Sequence, residues 1–281
     1  MAASDIYIGD SNLEIAYQGD GSVPAIYLGD VKVYPTSTTT PPPTPTPSGY
    51  SDMYLTIEVT GNANSNLMIS GDTIPNGWTG FSYSLDDGRT WHRRSEPDLI
   101  SLTRNAKVLL KSECQSWNGI SITLNVLDPS HYSVVAYGNV LSLLFGDDFA
   151  QHTGATGTDY CLAGLFKNCI CLTDASNLVL PYNMTSLHCL DSMFYGCTSL
   201  TTSPVLTTPI IGYGCYEKMF YGCSSLTAIT CLATYRLPFA TNDWVNGVAA
   251  SGTFYKSPNM NDWPTGSGGI PDGWSVVDYT G

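Results

Sequence analysis

The sequence predicts a multi-domain α+β chain of 281 residues. It reads as a small N-terminal β module over 1–35, a Pro/Thr-rich linker over 36–49, a β-sandwich-like domain over 50–150, and a short repeat solenoid with a C-terminal cap over 151–281. Three observations carry that reading. One string recurs as YCLAGLFKNC (160–169), LHCLDSMFYGC (187–197) and YGCYEKMFYGC (213–223), with Cys161, Cys189 and Cys215 at intervals of 28 and 26 residues. A fixed period in this range marks a solenoid. Alternating apolar residues broken by turn residues fill the middle of the chain, and a proline- and threonine-dense stretch divides that middle from the N-terminus.

In the N-terminal module, IYIGD at 6–10 returns as IYLGD at 26–30, with a looser copy, IAYQGD, at 15–20. Alternation ending in Gly-Asp predicts short strands closed by tight turns. About 35 residues are too few to hold a core alone, so this module is expected to dock onto a partner or pair with copies of itself. The segment is similar to small IYLGD-x-KVYP stretches of phage structural proteins. Next comes the linker, with Pro35, Pro41, Pro42, Pro43, Pro45 and Pro47 in close succession. Polyproline II at about 3.1 Å per residue gives thirteen residues a reach of roughly 40 Å, so an anchor, a stalk and a displayed head are expected.

From Tyr54 onward, strand-like runs fall at 54–59, 81–84, 107–111 and 120–126. Between them, SLDDGRTW at 84–91 fits the Asp-box pattern S-x-D-x-G-x-T-W of sialidases and other β-propellers. The box is a hairpin device: Ser84 and Asp86 bond the turn backbone, Gly88 supplies positive φ, and Trp91 packs beneath. A lone box without a propeller period is therefore expected to be structural, and no catalytic residue is expected.

Within each repeat, Cys189, Leu190, Met193, Phe194 and Cys197 fall at i, i+1, i+4, i+5 and i+8, the stripe of a helix. Gly196, Gly222 and Asn168 stand where the chain needs a left-handed residue after that helix. Leu172, Leu200 and Leu226 follow, then short apolar runs at 178–180, 205–206 and 229–232. Helix, leucine turn and strand predict a leucine-rich repeat in three copies, closed by a weaker echo at 242–248 and 252–256.

The strings MFYGCTSLT (193–201) and MFYGCSSLT (219–227) resemble the hallmark of the BspA-like leucine-rich repeat family. CLAT (231–234), WVNGVA (244–249) and IPDGWSV (270–276) are similar to closing tracts of its members in gut Bacteroidetes and their phages. The resemblance implies surface display and adhesion. The first ten residues carry no basic stretch before a long apolar core, so no secretory signal is expected there. The expectation is therefore a phage virion structural protein on the virion surface, a head or tail fibre or decoration protein. Its partners would be other virion proteins through residues 1–35, further copies of itself as a dimer or trimer, and a host surface protein or glycan. The alternative is a secreted bacterial surface adhesin.

A formal charge of -13 and a pI near 4.4 argue against nucleic acid as a partner, since phosphate binding needs clustered Lys and Arg. No apolar run approaches the roughly 18 residues of a membrane span. Asp86 with Asp87 and Asp147 with Asp148 are neighbours that would face apart on a strand, which denies them the spacing of a glycosidase pair. His92, His131, His152 and His188 show no metal or nucleophile pattern, so no metal or cofactor is expected, and the ligand-binding residues stay unassigned. Seven of the nine cysteines follow or flank the repeat register. They read as buried apolar spacers, with inter-copy bridges left open.

Overall fold

The computed structural model describes residues 4–8, 11–16, 25–28, 31–34, 49–61, 65–71, 78–114, 116–124, 132–155, 159–184 and 186–280. Of the expected linker, 36–48 lie outside the described residues, as do the Gly-Asp turns at 9–10, 19–20 and 29–30, the end of the run at 120–126, and His131. The chain divides into two compact units, Met1–Pro45 and Thr46–Gly281.

In the first unit, β1 (Ser4–Ile8), β2 (Ser11–Ala16), β3 (Ala25–Leu28) and β4 (Val31–Tyr34) form an antiparallel sheet in sequence order. Ile6 stands opposite Leu13, and Ile15 opposite Ile26.

The second unit begins with β5 (Leu55–Val59), β6 (Ser65–Gly71), β7 (Phe81–Ser84), β8 (His92–Arg94), β9 (Leu99–Leu102), β10 (Lys107–Lys111), β11 (Ile120–Leu124) and β12 (Val134–Asn139). A four-residue helix, α1 (Ser142–Phe145), and a 3-10 turn at Gly146–Gln151 follow. Then come β13 (Gly154–Ala155), β14 (Leu172–Asp174), β15 (Leu178–Val179), β16 (Asn183–Met184), β17 (Thr202–Leu206), β18 (Ile210–Ile211), β19 (Ala228–Cys231), β20 (Tyr235–Arg236), β21 (Thr253–Lys256) and β22 (Ser275–Asp278).

One large sheet runs β22-β21-β19-β17-β14-β12-β5-β10-β7-β8. Its β22-to-β12 half is parallel, and the rest is antiparallel. The solenoid wall is therefore continuous with the sheet before it through β12, which pairs with β5 on one side and β14 on the other. A second sheet, β11-β6-β9, contributes Leu67, Ile69, Ile100, Ile120 and Ile122 to the same apolar core. Trp117, fully buried, meets Phe81 and Trp78 and donates its indole N–H to the Leu143 carbonyl.

The chain is thus mostly β, with a β-solenoid of about five turns and very little helix. The helices expected in the repeats are absent. Each recurring string is instead a train of turns in which every fourth residue has positive φ: Tyr160, Gly164 and Asn168, then His188, Ser192 and Gly196, then Gly214, Lys218 and Gly222. A left-handed residue every fourth position cannot continue an α-helix. The backbone bonds are split between two directions. Cys169 N–H turns back to Phe166 O (3.0 Å), whereas Phe166 N–H reaches Met193 O (2.8 Å) and Phe194 N–H reaches Met219 O (2.9 Å) on the neighbouring turn. Stacking thus satisfies backbone groups as well as apolar ones, and an isolated copy would leave both exposed.

Phe166, Phe194 and Phe220, at equivalent positions of the three strings, form a ring column with centroids 5.6 Å apart and planes within 9° at both steps. All three are fully buried. The echo at the end of the chain is a further turn of the same design, with positive φ at Phe239, Asp243 and Gly247. Trp244 closes the column: it tilts over Phe220, stacks on Trp263 at 5.5 Å, and donates its indole N–H to Gly269 O at 2.7 Å.

Candidate functional site

The turn trains decide which side chains face out. Inward positions carry the Phe column, Leu162, Leu190, Met193, Met219 and the cysteines. Outward positions bring together Tyr160, His188 and Tyr213 in one group and Tyr195 and Tyr221 in another. Tyr195 and Tyr221 stack at 4.9 Å with planes 5° apart, and the Lys167 ammonium lies 5.4 Å from the Tyr195 ring centre. Tyr160 stacks on the His188 imidazole at 4.6 Å, Tyr213 meets the same imidazole edge-on at 5.6 Å, and Phe239, 52 % exposed, lies 5.7 Å from Tyr213. The outer strip thus carries two groups of half-exposed aromatic rings on a hydrogen-bonded stack.

Acidic groups are set into this strip. His188 Nδ1 lies 3.1 Å from Asp191 Oδ2 and 3.6 Å from Glu217 Oε2, and these ligand-capable atoms all lie within 4.8 Å of one another. Ser192 Oγ donates to Asp191 Oδ1 at 2.6 Å, and Lys218 Nζ donates to Glu217 Oε1 at 3.0 Å. Burial, with the charges of Asp191 and Glu217 adding to it, pushes the Tyr160 hydroxyl above the usual phenol value. Sequence reasoning missed this cluster because Glu217 comes from the following turn. The signal that could have found it was the repeat register, which sets Asp191 and Glu217 at equivalent positions of consecutive copies.

The other residues weighed from sequence lie apart from this strip. Around Ser84, the Asp box forms the β7–β8 hairpin. Ser84 Oγ donates to Asp86 Oδ1 (2.7 Å) and accepts from Gly88 N–H (2.9 Å), while Thr90 donates its N–H (2.9 Å) and its hydroxyl (2.7 Å) to Asp86. Gly88 and Asp87 have positive φ, and Trp91 packs on Tyr54 at 4.9 Å. Asp147 accepts from Lys111 Nζ (2.6 Å) and Tyr54 Oη (2.7 Å), and Asp148 is exposed. Lys111 is the main cause that lowers Asp147, and bonds from Thr90 lower Asp86 to about 2. Both shifts run opposite to the one a general acid needs. His92 lies against Tyr83, and His152 stacks on Phe145. A polar cleft of about 210 Å³ beside Arg93, Lys111 and Glu113 falls below the usual range for ligand pockets, roughly 300–1,000 Å³.

All nine cysteines are buried free thiols. Six of them, Cys161, Cys189, Cys215 and Cys169, Cys197, Cys223, repeat by layer, and Cys197 and Cys223 donate their S–H groups to the Phe166 and Phe194 carbonyls of the preceding turn, each at 3.0 Å. Cys161 and Cys189 bring their sulfurs to 2.7 Å. This column therefore asks for a small side chain that is apolar in bulk and carries a weak donor, which cysteine satisfies.

With this geometry in hand, comparison with protein-family models, with curated proteins and with solved structures finds no match to the chain.

Proposed function

We propose that the chain is a display protein of a phage particle, a head or tail fibre or decoration protein, whose solenoid presents an adhesive face to a host surface protein or glycan. The observation that carries this reading is the outer strip: Tyr160, Tyr213, Phe239, Tyr195 and Tyr221 half-exposed on a scaffold fixed by turn-to-turn hydrogen bonds. Aromatic rings held rigid lose little entropy on binding and offer flat apolar faces next to polar edges, which suits sugar rings and protein anchors alike. The acidic groups beside them supply acceptors for hydroxyl donors. The N-terminal unit is read as the particle anchor, on its similarity to short segments of phage structural proteins. The turn trains are read as BspA-like leucine-rich repeats on the two MFYGC strings. Several heads on one particle would add avidity to a weak single contact, which favours a dimer or trimer.

Two measurements test the reading. Gold-labelled antibody against 1–35, applied to purified and partly disrupted particles, should mark the particle. A glycan and host-surface panel should bind the full chain, and binding should fall at least tenfold in the Tyr195→Ala/Tyr221→Ala double variant. Absence from particles together with recovery in a bacterial envelope fraction would select the second reading, a surface adhesin, which the same MFYGC strings favour.

A further inference from the structure

We propose that His188, Asp191 and Glu217 bind one divalent transition-metal cation, of which Zn²⁺ is the type, and that the ion clamps the second repeat to the third. This goes beyond the display reading and does not depend on it.

The spacing is the first argument. A tetrahedral zinc with bonds of about 2.0–2.1 Å has ligand-to-ligand edges of about 3.4 Å. The distances from His188 Nδ1, 3.1 Å to Asp191 Oδ2 and 3.6 Å to Glu217 Oε2, bracket that edge, and all three atoms lie within 4.8 Å of one another. A proton on Nδ1 serves only one of these carboxylates, since 3.6 Å is beyond hydrogen-bond reach. A cation between them meets all three.

The donor set is the second. One imidazole nitrogen and two carboxylate oxygens suit zinc and its first-row neighbours, whereas calcium and magnesium prefer six or more oxygens. Two carboxylates outweigh the Lys218 ammonium beside Glu217, although its charge weakens the site relative to the same ligands without it.

The support behind the ligands is the third. The oxygen of Asp191 not facing His188 accepts from Ser192 Oγ at 2.6 Å, and the corresponding oxygen of Glu217 accepts from Lys218 Nζ at 3.0 Å. Each carboxylate is thereby turned with its other oxygen toward the imidazole. The ring itself is held by stacking on Tyr160 and by occupying the space that a side chain on Gly214 would fill. Such outer partners fix ligand geometry in metal sites. The three side chains are 15 %, 19 % and 22 % exposed, so the ion can enter from solvent and its remaining position is open to water.

The experiment uses the untagged full chain, freed of metal by a chelator and kept reduced with a phosphine. Calorimetric titration with ZnCl₂ should show one equivalent per chain, and saturation should raise Tm by several degrees, as binding to the folded state alone requires. Co²⁺ should give the intense visible bands of four-coordination without the near-ultraviolet band of a thiolate ligand. Glu217→Gln and Asp191→Asn keep side-chain shape, so circular dichroism should be unchanged while affinity falls at least tenfold. The proposal is overturned if no equivalent binds, if both variants bind as the parent does, or if the cobalt spectrum reports thiolate, which would move the ion to the cysteine columns.

Discussion

The imidazole of His188 occupies the space above the α-carbon of Gly214, and a Cβ on that glycine would collide with Cε1, Nδ1 and Nε2 of the ring. Gly214 also has φ +64°, where a side chain costs about 1–2 kcal/mol on its own. Gly214→Ala should therefore lower unfolding stability by ~2 kcal/mol or more in urea. Adding His188→Ala should return the steric share but leave the backbone share. A double-mutant cycle reads that coupling directly, and strict additivity would show that the ring and the glycine do not determine each other.

Phe194 lies between Phe166 and Phe220 at 5.6 Å on each side and is fully buried. Phe194→Ala should cost about 3–5 kcal/mol, as core Phe deletions do. Tyr195 next to it stacks only on the outside, with Tyr221, and Tyr195→Ala should cost no more than about 1–1.5 kcal/mol. Because each turn is stable only against its neighbours, Phe194→Ala should also broaden the urea transition. Equal costs for the two variants would mean that the ring column is not the core of the solenoid.

How much of this was legible beforehand depends on which period a residue obeys. The stripe Cys189, Leu190, Met193, Phe194, Cys197 recurs every four residues, and a helix of 3.6 residues per turn and a train of four-residue turns place such a stripe on one face equally well. Sequence therefore identified the inward apolar stripe and the inward cysteines but took the wrong backbone. The discriminating signal was present but weak: Asn168, Gly196 and Gly222 were recognised as left-handed, whereas Tyr160, Ser192 and Lys218 adopt the same φ without being residues that favour it. The Asp box read correctly because its bonds are local, from Ser84 to Thr90. The cluster at His188 did not, because Glu217 arrives from another turn.

Burial pushes Cys215, Cys223 and Cys231 up to about 12 from an ordinary value of 9.0. An acid whose folded pKa is raised leaves stability intact below the unfolded value and removes it as pH climbs, because only the unfolded chain releases the proton. Tm should therefore hold up to about pH 8.5 and fall progressively between pH 9 and 12. The same burial predicts that a thiol reagent at pH 8 labels the native chain slowly and all nine cysteines in urea. Rapid native labelling would contradict the layered packing of the sulfurs.

Asp86 offers the opposite sign. Its carboxylate accepts from the Thr90 hydroxyl, the Thr90 N–H and the Ser84 hydroxyl, and these bonds lower its pKa from 3.8 to about 2. A depressed carboxylate lends stability that is full above the unfolded value near 3.8 and is lost as pH falls toward 2. Titration of the Asp86 carboxyl by NMR should accordingly show a midpoint near 2, below its ordinary value of 3.8. Asp86→Ala should leave the solenoid's Tm nearly unchanged, since the β7–β8 hairpin ends the sheet far from β14–β22 in strand order. Amide exchange at Gly88 and Thr90 should accelerate, because Thr90 loses its acceptor outright and Gly88 relies on a Ser84 hydroxyl that Asp86 orients. Slow exchange surviving in that variant would mean that the turn is held by Gly88 and Asp87 backbone geometry alone, and that the carboxylate is free for other chemistry.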